Sequence, residues 1–550
     1  MKATNAEIMG RFQILVTLPG SADLSHVWSQ ESRRSKESVL PAKPAGQWPR
    51  VRVTLCFVSL AMSVLCEGVV SALAQDNQNL ANFGQIASAQ PTPTERVSLA
   101  TVAPGLLPYF NNGPVFGLAG TVEGDFWHRT QLSGSWNGVR KDWADHGIFL
   151  DIYSTSTYQN VTSGGLKTGS AFAQNTQLSL NIDTAHAGLW SGGLFHFTVQ
   201  SRYGSSPEDT FTVGSFVPQY TGFVEPGALL SKDTWPSEYF LTQVLSKKSS
   251  VVLGVISDVF IPDETLFGNS YKYYFANFNL NKNPLTTNFY NTPAIAALGV
   301  WTPTKSVVIG GGVLDPFTRA NTFEDAFHNG VNLYVTAVGS FALRGRPGQV
   351  SPSFNWSNQP HIDLDSPFGP LSRAQVPDAV GALLGGSKAG LPVNFEKGSS
   401  FTIANVSQYL ALKETDDSKV PEKLQSGEPL RGIGVFGRLG YAPKATNTLT
   451  RDGSVALFAR GLWDGRPYDS FGVGFYYNVV SSAFRDAVRE LTAGTSVKNE
   501  KGIEVFYDLA ITPAIRVIPG YQHVWDPLVA QVAADHRWAN LFLLRFTVAL

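Results

Sequence analysis

The last nine residues of the chain, Phe542 to Leu550, alternate large apolar side chains with mostly small or polar ones up to the carboxyl terminus. One face of a pleated strand in this segment would carry only large apolar groups, at Phe542, Leu544, Phe546, Val548 and Leu550. A terminal strand needs partners for its backbone groups on both edges, and a closed sheet supplies them. The pattern therefore predicts the closing strand of an outer-membrane β-barrel, with Arg545 facing the barrel interior.

The amino-terminal region indicates export. Arg50 and Arg52 precede an apolar run from Val53 to Cys66, and the small residues Ala72 and Ala74 follow it, which is the pattern of a cleaved secretory signal. The run is shorter than the roughly 18 to 20 apolar residues that a membrane-spanning helix needs. We therefore expect residues 1–74, an extension plus a signal peptide, to be removed.

Composition supports a large exported protein that is not held by disulfides. Both cysteines, Cys56 and Cys66, lie in the predicted leader. Removal of eight Lys or Arg and five Asp or Glu from totals of 42 and 43 leaves a mature charge of 34 minus 38, or −4. That charge gives no indication of a nucleic-acid partner. The 52 glycines and the 12% aromatic content suit curved strands and interfacial aromatic girdles.

Segments with period two recur through the rest of the chain, as a membrane barrel requires. In one of them Ile503, Val505 and Tyr507 alternate with polar residues, and only Phe506 breaks the pattern. Because bacterial barrels usually have an even strand number, we predict sixteen strands. They lie near 147–158, 177–183, 195–200, 237–246, 251–260, 293–302, 306–315, 331–336, 347–356, 401–411, 431–442, 454–463, 472–479, 503–509, 513–525 and 542–550.

The predicted connections differ in length, as expected when short turns lie on one rim and long loops on the other. Residues 302–305 form a tight turn, whereas 203–235, 261–292 and 357–398 are long. We expect 357–398 to fold inward and narrow the pore, because its Gly and Pro content allows a loop shielded from lipid. Ser481 is expected to cap a loop helix that rests on the barrel.

The domain organisation follows from these elements. After the removed leader we expect a polar linker at 75–118 and a short amino-terminal periplasmic segment at 119–146. The all-β transmembrane antiparallel barrel would then occupy 147–550.

Three separated motifs resemble the carbohydrate-selective porins of the OprB type. The first is Leu-x-Gly-x-Trp-x-Gly-x-Arg at 132–140, which includes Trp136, Gly138 and Arg140. The second is Gly-x-Phe-Gly-Arg, ending at Arg438. The third is a closing segment that contains Glu504, Tyr507, Thr512-Pro513, Pro519, Gln522 and Asp526-Pro527. The resemblance spans roughly 124 to 550, is weak over 203–400, and departs from the family at Leu550, where a terminal phenylalanine is usual.

This resemblance implies passive diffusion of sugars, chiefly monosaccharides such as glucose, through an integral barrel in the bacterial outer membrane. The implied partners are small carbohydrate solutes, outer-membrane lipids and lipopolysaccharide, and the barrel-assembly machinery. No cofactor, metal or catalytic residue is expected. Trp136 and Arg140 would anchor the amino-terminal segment against the periplasmic mouth, and Gly138 belongs to the same structural motif.

Several polar residues have the parity of lumen-facing positions. A sugar needs hydrogen-bond donors and acceptors that hold it weakly, so that it can leave. The candidate pore-lining residues are Arg438, Arg460, Glu504, Asp183, Gln200, His196, Arg545 and Gln522, with Asp151 and Asp508 at the same parity. The alternative for any of them is that it pairs across the lumen and only stiffens the wall.

Other chemical signatures are weaker. Residues 432–437 match the Gly-x-Gly-x-x-Gly pattern of dinucleotide-binding sites. Gly440 and Pro443 preclude the helix that must follow this pattern in such a site. No His-Glu-x-x-His or Gly-x-Ser-x-Gly motif occurs, so the sequence gives no sign of an enzyme. The alternatives left open are a secreted β-sandwich hydrolase that acts on glycans with two carboxylates, and a general or ion-conducting porin.

Overall fold

The computed structural model describes residues 122–204, 212–217, 234–256, 272–288, 294–304, 306–316, 326–328, 330–413 and 430–550. The predicted leader and polar linker lie outside these residues. Within them, sixteen antiparallel strands form one closed barrel in which sequence neighbours pair and the last strand pairs with the first. The predicted fold class and strand number are therefore confirmed.

The strands match the sixteen predicted segments in order, and several of them are longer than predicted. Their bounds are β1 Ile148–Gly164, β2 Gly169–Asp183, β3 Gly193–Gly204, β4 Thr234–Ser246, β5 Ser249–Ile256, β6 Ala294–Thr304, β7 Val307–Leu314, β8 Asn332–Leu343, β9 Arg346–Ile362, β10 Phe395–Leu412, β11 Gly432–Tyr441, β12 Leu449–Arg460, β13 Ser470–Val480, β14 Glu500–Thr512, β15 Ile515–Trp525 and β16 Trp538–Ala549.

The closing strand has the two faces that its sequence predicts. Phe542 and Phe546 are 39% and 43% exposed on the outer surface, whereas Arg545 between them is 1% exposed on the inner one. Arg545 pairs with Thr157 in the ladder between β16 and β1. Every backbone group of a membrane-spanning segment needs a partner inside the protein, and this last ladder removes the two free edges of the sheet.

The two rims of the barrel differ. Two-residue turns join β4 to β5, β8 to β9 and β14 to β15 on the rim where the chain ends, and the longest connections lie on the opposite rim. Because outer-membrane barrels have short periplasmic turns and long extracellular loops, the rim with the carboxyl terminus is periplasmic. β9 and β10 continue into the predicted loop 357–398, because Phe395 still pairs with Ile362. The loop itself is 363–394.

The described residues contain five α-helices: α1 Val139–Asp145, α2 Phe278–Asn281, α3 Val376–Leu383, α4 Ser482–Leu491 and α5 Leu528–Ala533. Short 3-10 turns occur at Pro284–Asn288 and Arg373–Gln375. The predicted loop helix is α4, and Ser481 Oγ accepts the N–H of Phe484 at its start. In this part of the chain, no helix combines the length and the apolar character needed to cross a bilayer.

The extracellular rim has its own apolar core. α3 and α4 contribute Val380, Leu383, Phe484 and Val488 to a buried cluster that also includes Leu528 of α5. The apolar faces of these short helices can be buried only against each other and the barrel, because none is long enough to be stable alone. The loop helices α3, α4 and α5 thus form a packed layer at the extracellular mouth.

The amino-terminal segment closes the periplasmic end of the seam between β1 and β16. Arg140 of α1 donates to the carbonyl oxygens of Leu150, at 2.6 Å, and Leu550, at 3.2 Å. Gln131 donates to the Asp151 carboxylate at 2.6 Å. Burial lowers the pKa of the Arg140 guanidinium, and the Asp151 carboxylate acts in the opposite direction. The guanidinium therefore joins the first strand to the last residue of the chain.

Arg140→Ala should destabilise the folded barrel, because it leaves the carbonyls of Leu150 and Leu550 without this charged donor. Hydrogen bonds to charged groups contribute about 1.5–3 kcal/mol each. We expect heat-modifiable mobility in SDS gels to be lost at a lower temperature than in the wild type. Lys141→Ala removes an exposed cation from the same helix and should leave that temperature unchanged. Equal effects of the two substitutions would contradict the role of Arg140.

Candidate functional site

One stretch of the connection between β5 and β6 lies inside the barrel. Residues 272–288, here called the constriction segment, contact the inner wall formed by β11 to β16. Phe275, Asn277 and Leu280 are all 0% exposed. The predicted loop 357–398 meets this segment, because α3 and Leu364 share a buried cluster with Leu285 and with the inward-facing Phe401 of β10. That 357–398 narrows the pore stays a prediction.

The Glu504 carboxylate of β14 holds the centre of the constriction segment. Its two oxygens accept the backbone N–H groups of Ala276 and Asn277, each at 2.8 Å. Asn277 also donates from its side chain to Gln522 of β15 at 3.2 Å. A charged acceptor suits this position, because unpaired backbone donors buried away from water are costly.

Two arginines bind carbonyl oxygens on either side of that centre. Arg545 donates to the carbonyl of Tyr274 at 2.6 Å. Arg438 donates to the carbonyl of Leu280, at 2.5 Å, and to that of Asn281, at 3.1 Å. The guanidinium fork can serve two acceptors at once, which suits the carboxyl end of the short helix α2.

Asparagines fix the remaining polar contacts of the segment. The Asn277 side chain accepts the Asn279 N–H at 2.9 Å and so caps α2. Asn478 of β13 donates to the Asn279 side chain at 2.8 Å, and Asn283 donates to Asp452 of β12 at 2.9 Å. The segment is therefore bound to all six strands from β11 to β16 by side-chain hydrogen bonds.

Aromatic packing fills the space between the segment and the wall. The Phe275 ring meets those of Phe506 and Phe436 edge to face, with centroids 4.9 Å and 5.8 Å apart. Gly472 makes room for this contact, since a β-carbon there would lie 2.6 Å from Phe275 Cζ and 2.5 Å from Phe506 Cε1. At Gly474 a β-carbon would lie 2.7 Å from Leu280 Cδ1. Glycine at both positions thus permits close approach of the segment.

A charged cluster lies below the segment, toward the periplasm. Arg516 of β15 contacts the Asp508 carboxylate of β14 at 3.2 Å, with both side chains buried. Arg460 of β12 hydrogen-bonds to the Tyr274 hydroxyl and lies near Asp508. Buried charges of both signs in this arrangement compensate one another, whereas removal of one partner would leave the other buried and unpaired.

The opposite inner wall, on β1 to β3, carries mainly neutral hydrogen-bonding groups. The inward positions of these strands include Thr155, Thr157, Gln159, Asn175, Gln177, Ser179, Asn181, Thr198 and Gln200. His196 contacts the Asn181 Oδ1 at 2.7 Å and the Thr198 hydroxyl at 2.8 Å, and its ring stacks on Phe240. Its Nε2 lies 3.5 Å from the Glu238 carboxylate.

An apolar strip completes the interior on β4 to β8. It consists of Phe240, Val252, Leu298, Val300 and Tyr334, which belong to one buried cluster. The inner sides of β1 to β8 thus carry buried hydroxyl and amide groups next to buried apolar side chains.

The predicted pore-lining residues fall into three places. Arg438, Arg460, Glu504, Gln522 and Arg545 all contact the constriction segment, Arg460 through the Tyr274 hydroxyl. His196 and Gln200 lie on the opposite wall. Asp183 lies at the periplasmic end of β2, where its carboxylate accepts the N–H groups of Ala185 and His186 and contacts the His186 ring.

Sequence reasoning missed the constriction segment itself. Its signal is a loop in which Asn277, Asn279, Asn281 and Asn283 alternate, interspersed with Phe275, Phe278 and Leu280. Large apolar groups in a loop need a buried environment, and asparagines supply the local hydrogen bonds that irregular backbone needs.

The inner-wall glycines were also missed, and they carry a related signal. Gly472 and Gly474 have inward parity on a strand whose outward positions are Phe471, Val473 and Phe475. Two inward glycines in succession leave a depression that something else must fill.

The chemistry of this interior is that of a channel. In the described residues no group of three His, Cys, Asp or Glu side chains is arranged to hold a metal ion. The buried carboxylates Glu504 and Asp508 are occupied by backbone N–H groups and arginine. The barrel is closed and has sixteen strands, a loop folded into its interior and apolar side chains on its outer face. These features define the class of the protein, an integral outer-membrane porin.

Comparison with known proteins identifies the family. The family described as "Carbohydrate-selective porin, OprB family" matches residues 167–537, and the chain belongs to it. The solved high-pH structure of Pseudomonas putida OprB superposes with a TM-score of 0.62 at 16% identity, covering 78% of this chain and 100% of that one. That likeness shows the fold.

A curated relative is similar over a shorter stretch. The protein named "Putative porin QuiX" of Acinetobacter baylyi is 24% identical over 176 residues, which is 28% of this chain and 40% of that protein. The match therefore spans less than half of the relative's length.

Gly472→Ala should lower the single-channel conductance in planar bilayers. The new β-carbon would collide with the rigid rings of Phe275 and Phe506, so the constriction segment must move off the wall and into the pore. The control is Gly520→Ala on β15, where the nearest atoms to an added β-carbon lie 3.6–3.9 Å away. Unchanged conductance in Gly472→Ala, with the barrel folded, would contradict the placement of the segment.

Proposed function

We propose that this porin lets glucose-like monosaccharides diffuse passively into the periplasm through the space between the constriction segment and the opposite wall. The observation that carries the proposal is the row of neutral hydroxyl and amide side chains on the inner side of β1 to β3, which adjoins an apolar strip. A sugar presents hydroxyls that donate and accept, and C–H faces that prefer carbon surface. Neutral groups hold it weakly enough to let it leave.

The polar residues have different roles in this proposal. Glu504, Arg438, Arg545 and Gln522 act as positioning residues, because their polar atoms contact the constriction segment. Gln200 and His196, on the opposite wall, contact the solute. The pore width would thus depend on one wall and the preference for sugars on the other.

Assembly of the barrel adds one further partner. We propose that the barrel-assembly machinery recognises β16 and the terminal Leu550. Phe542 and Phe546, on the same outer face, provide the aromatic side chains of this recognition segment.

Liposome swelling tests the proposed substrate class. Proteoliposomes with the purified protein should swell rapidly in glucose and other monosaccharides, more slowly in disaccharides, and more slowly in neutral amino acids of similar size than in monosaccharides. Equal rates for sugars and for amino acids of matched size would indicate a general porin. Swelling no faster than that of protein-free liposomes would overturn the proposal.

Gln177→Met should reduce the glucose swelling rate. Gln177 faces inward on β2, and its side-chain oxygen has no partner among the described residues. Loss of one net hydrogen bond, worth about 0.5–1.5 kcal/mol, corresponds to a change of about 2- to 10-fold.

The matched control is Gln174→Met on the outer face of the same strand, where the side chain contacts Ser154. It should leave glucose swelling unchanged, and potassium chloride conductance should stay similar in both variants. A normal swelling rate in Gln177→Met would remove this residue from the solute path.

A further inference from the structure

Two cations lie on one outward-facing row at the extracellular end of the barrel. Arg451 of β12 is paired with Val479 of β13, and Lys501 of β14 is paired with Tyr477 of the same strand. Both point outward, because the next residues in their strands, such as Asp452, are buried toward the interior. With strands about 4.8 Å apart, these two backbones lie about 10 Å apart across the sheet.

The row lies at the level of the lipid headgroups. Immediately below it, the outer faces of β12 and β14 expose Val455, by 51%, and Val505, by 41%. At the level of the row, Tyr441 and Tyr477 are 55% and 40% exposed. Aromatic side chains of this kind mark the boundary between hydrocarbon and headgroups, so Arg451 and Lys501 lie at that boundary in the outer leaflet.

A third cation is fixed beside them. Arg485 of α4 donates to the Asn499 side-chain oxygen, and Asn499 in turn donates to the Tyr477 hydroxyl at 2.8 Å. The Arg485 Nε is buried and has no acceptor within the part of the chain that the structure describes. This arrangement places a guanidinium above Tyr477, between the strands that carry Arg451 and Lys501.

These cations are not neutralised by carboxylates within the described residues. Arg451 and Lys501 make no ion pair there, and Lys501 Nζ lies 5.9 Å from the centre of the Trp525 ring. On α4 the Asp486 carboxylate is bound by Arg489 instead. Three positive charges in a partly desolvated surface without counter-charge indicate an anionic partner.

The periplasmic ends of the same strands differ. Their outward positions are apolar, at Ala459, Phe471 and Ile511. The cation in the connection between β12 and β13, Arg466, is paired with the Asp469 carboxylate, and Lys247 and Arg346 lie under other strands. The charge asymmetry along β12 to β14 therefore matches a membrane whose outer leaflet carries phosphorylated glycolipid.

We propose that Arg451, Arg485 and Lys501 form a binding site for the phosphate groups of an outer-leaflet glycolipid of the lipopolysaccharide type. The arginine forks bind phosphate oxygens in a bidentate manner, and Lys501 adds a point charge. The acyl chains of the lipid lie along the apolar outer face of β12 to β14, below Tyr477. Each cation near an anionic headgroup contributes roughly a 5-fold gain in affinity.

Native mass spectrometry of the full-length purified protein in detergent, titrated with bisphosphorylated lipid A, tests this site. The double variant Arg451→Ala/Lys501→Ala should weaken binding of the lipid by about 25-fold. Lys247→Ala/Arg346→Ala removes two cations from the periplasmic rim and should leave the affinity unchanged. The charge-preserving variant Arg451→Lys/Lys501→Arg should retain most of the binding.

Two further ligands show whether the site binds the phosphate groups of the lipid and whether it also needs the acyl chains. Dephosphorylated lipid A should bind as weakly to the wild type as the bisphosphorylated lipid binds to the double variant. Inorganic phosphate at the same concentrations should neither bind nor displace the lipid, because it lacks the acyl chains.

The site is overturned if the double variant, folded by its heat-modifiable mobility, binds lipid A as tightly as the wild type. It is equally overturned if the dephosphorylated lipid binds as well as the bisphosphorylated one, or if inorganic phosphate alone binds as well as the lipid.

Discussion

The backbone of a protein inside a membrane has no water to bond, so each N–H and C=O at membrane depth needs a partner from the protein itself. In this porin the requirement determines two structures of different kinds. The strands meet it through ladders that close the sheet from β16 to β1. The constriction segment has irregular backbone at the same depth and meets it through side chains, chiefly Glu504, Arg438 and Arg545. The charged groups of the interior are therefore explained largely by the loop that they hold.

This division gives the two sides of the interior different tasks. On β11 to β16, charges and inward glycines fix the position of the constriction segment. On β1 to β3 the inner side chains are mainly neutral amides and hydroxyls, which in the proposed function exchange hydrogen bonds with the solute. A wall of strong charged contacts would bind a sugar too firmly to release it, whereas neutral groups do not. In the proposed function, rigidity and recognition thus lie on different sides of the interior.

The sequence was sufficient to predict the barrel, because the alternation of apolar and polar residues determines which face each side chain occupies. The pairing of the terminal strand with β1 follows directly from that pattern. Phe506 was the one exception in its strand, and the structure explains it, since this inward ring packs against Phe275. The sequence of β14 alone could not reveal that contact, because the partner lies in a loop more than two hundred positions away.

The constriction segment was not predicted for the same reason. The Gly and Pro content of 357–398 led to the prediction that this loop folds inward. A loop is held inside a barrel, however, by the side chains on the wall that faces it. Gly472, Gly474 and Glu504 have inward parity in the sequence, yet only their common position in the closed sheet shows that they surround one segment. Periodicity determines the face of a residue and not its neighbours across several strands.

The central claim is that the constriction segment lies permanently on the wall of β11 to β16 while solute passes beside it. A cross-link between Asn279→Cys and Asn478→Cys, whose native side chains are 2.8 Å apart, tests this most directly. The mature chain expected here has no other cysteine. The disulfide should form on oxidation in membranes, and single-channel conductance and glucose permeation should be the same before and after reduction. Failure of the cross-link to form in the folded protein, or a large rise in conductance and permeation on reduction, would contradict the account.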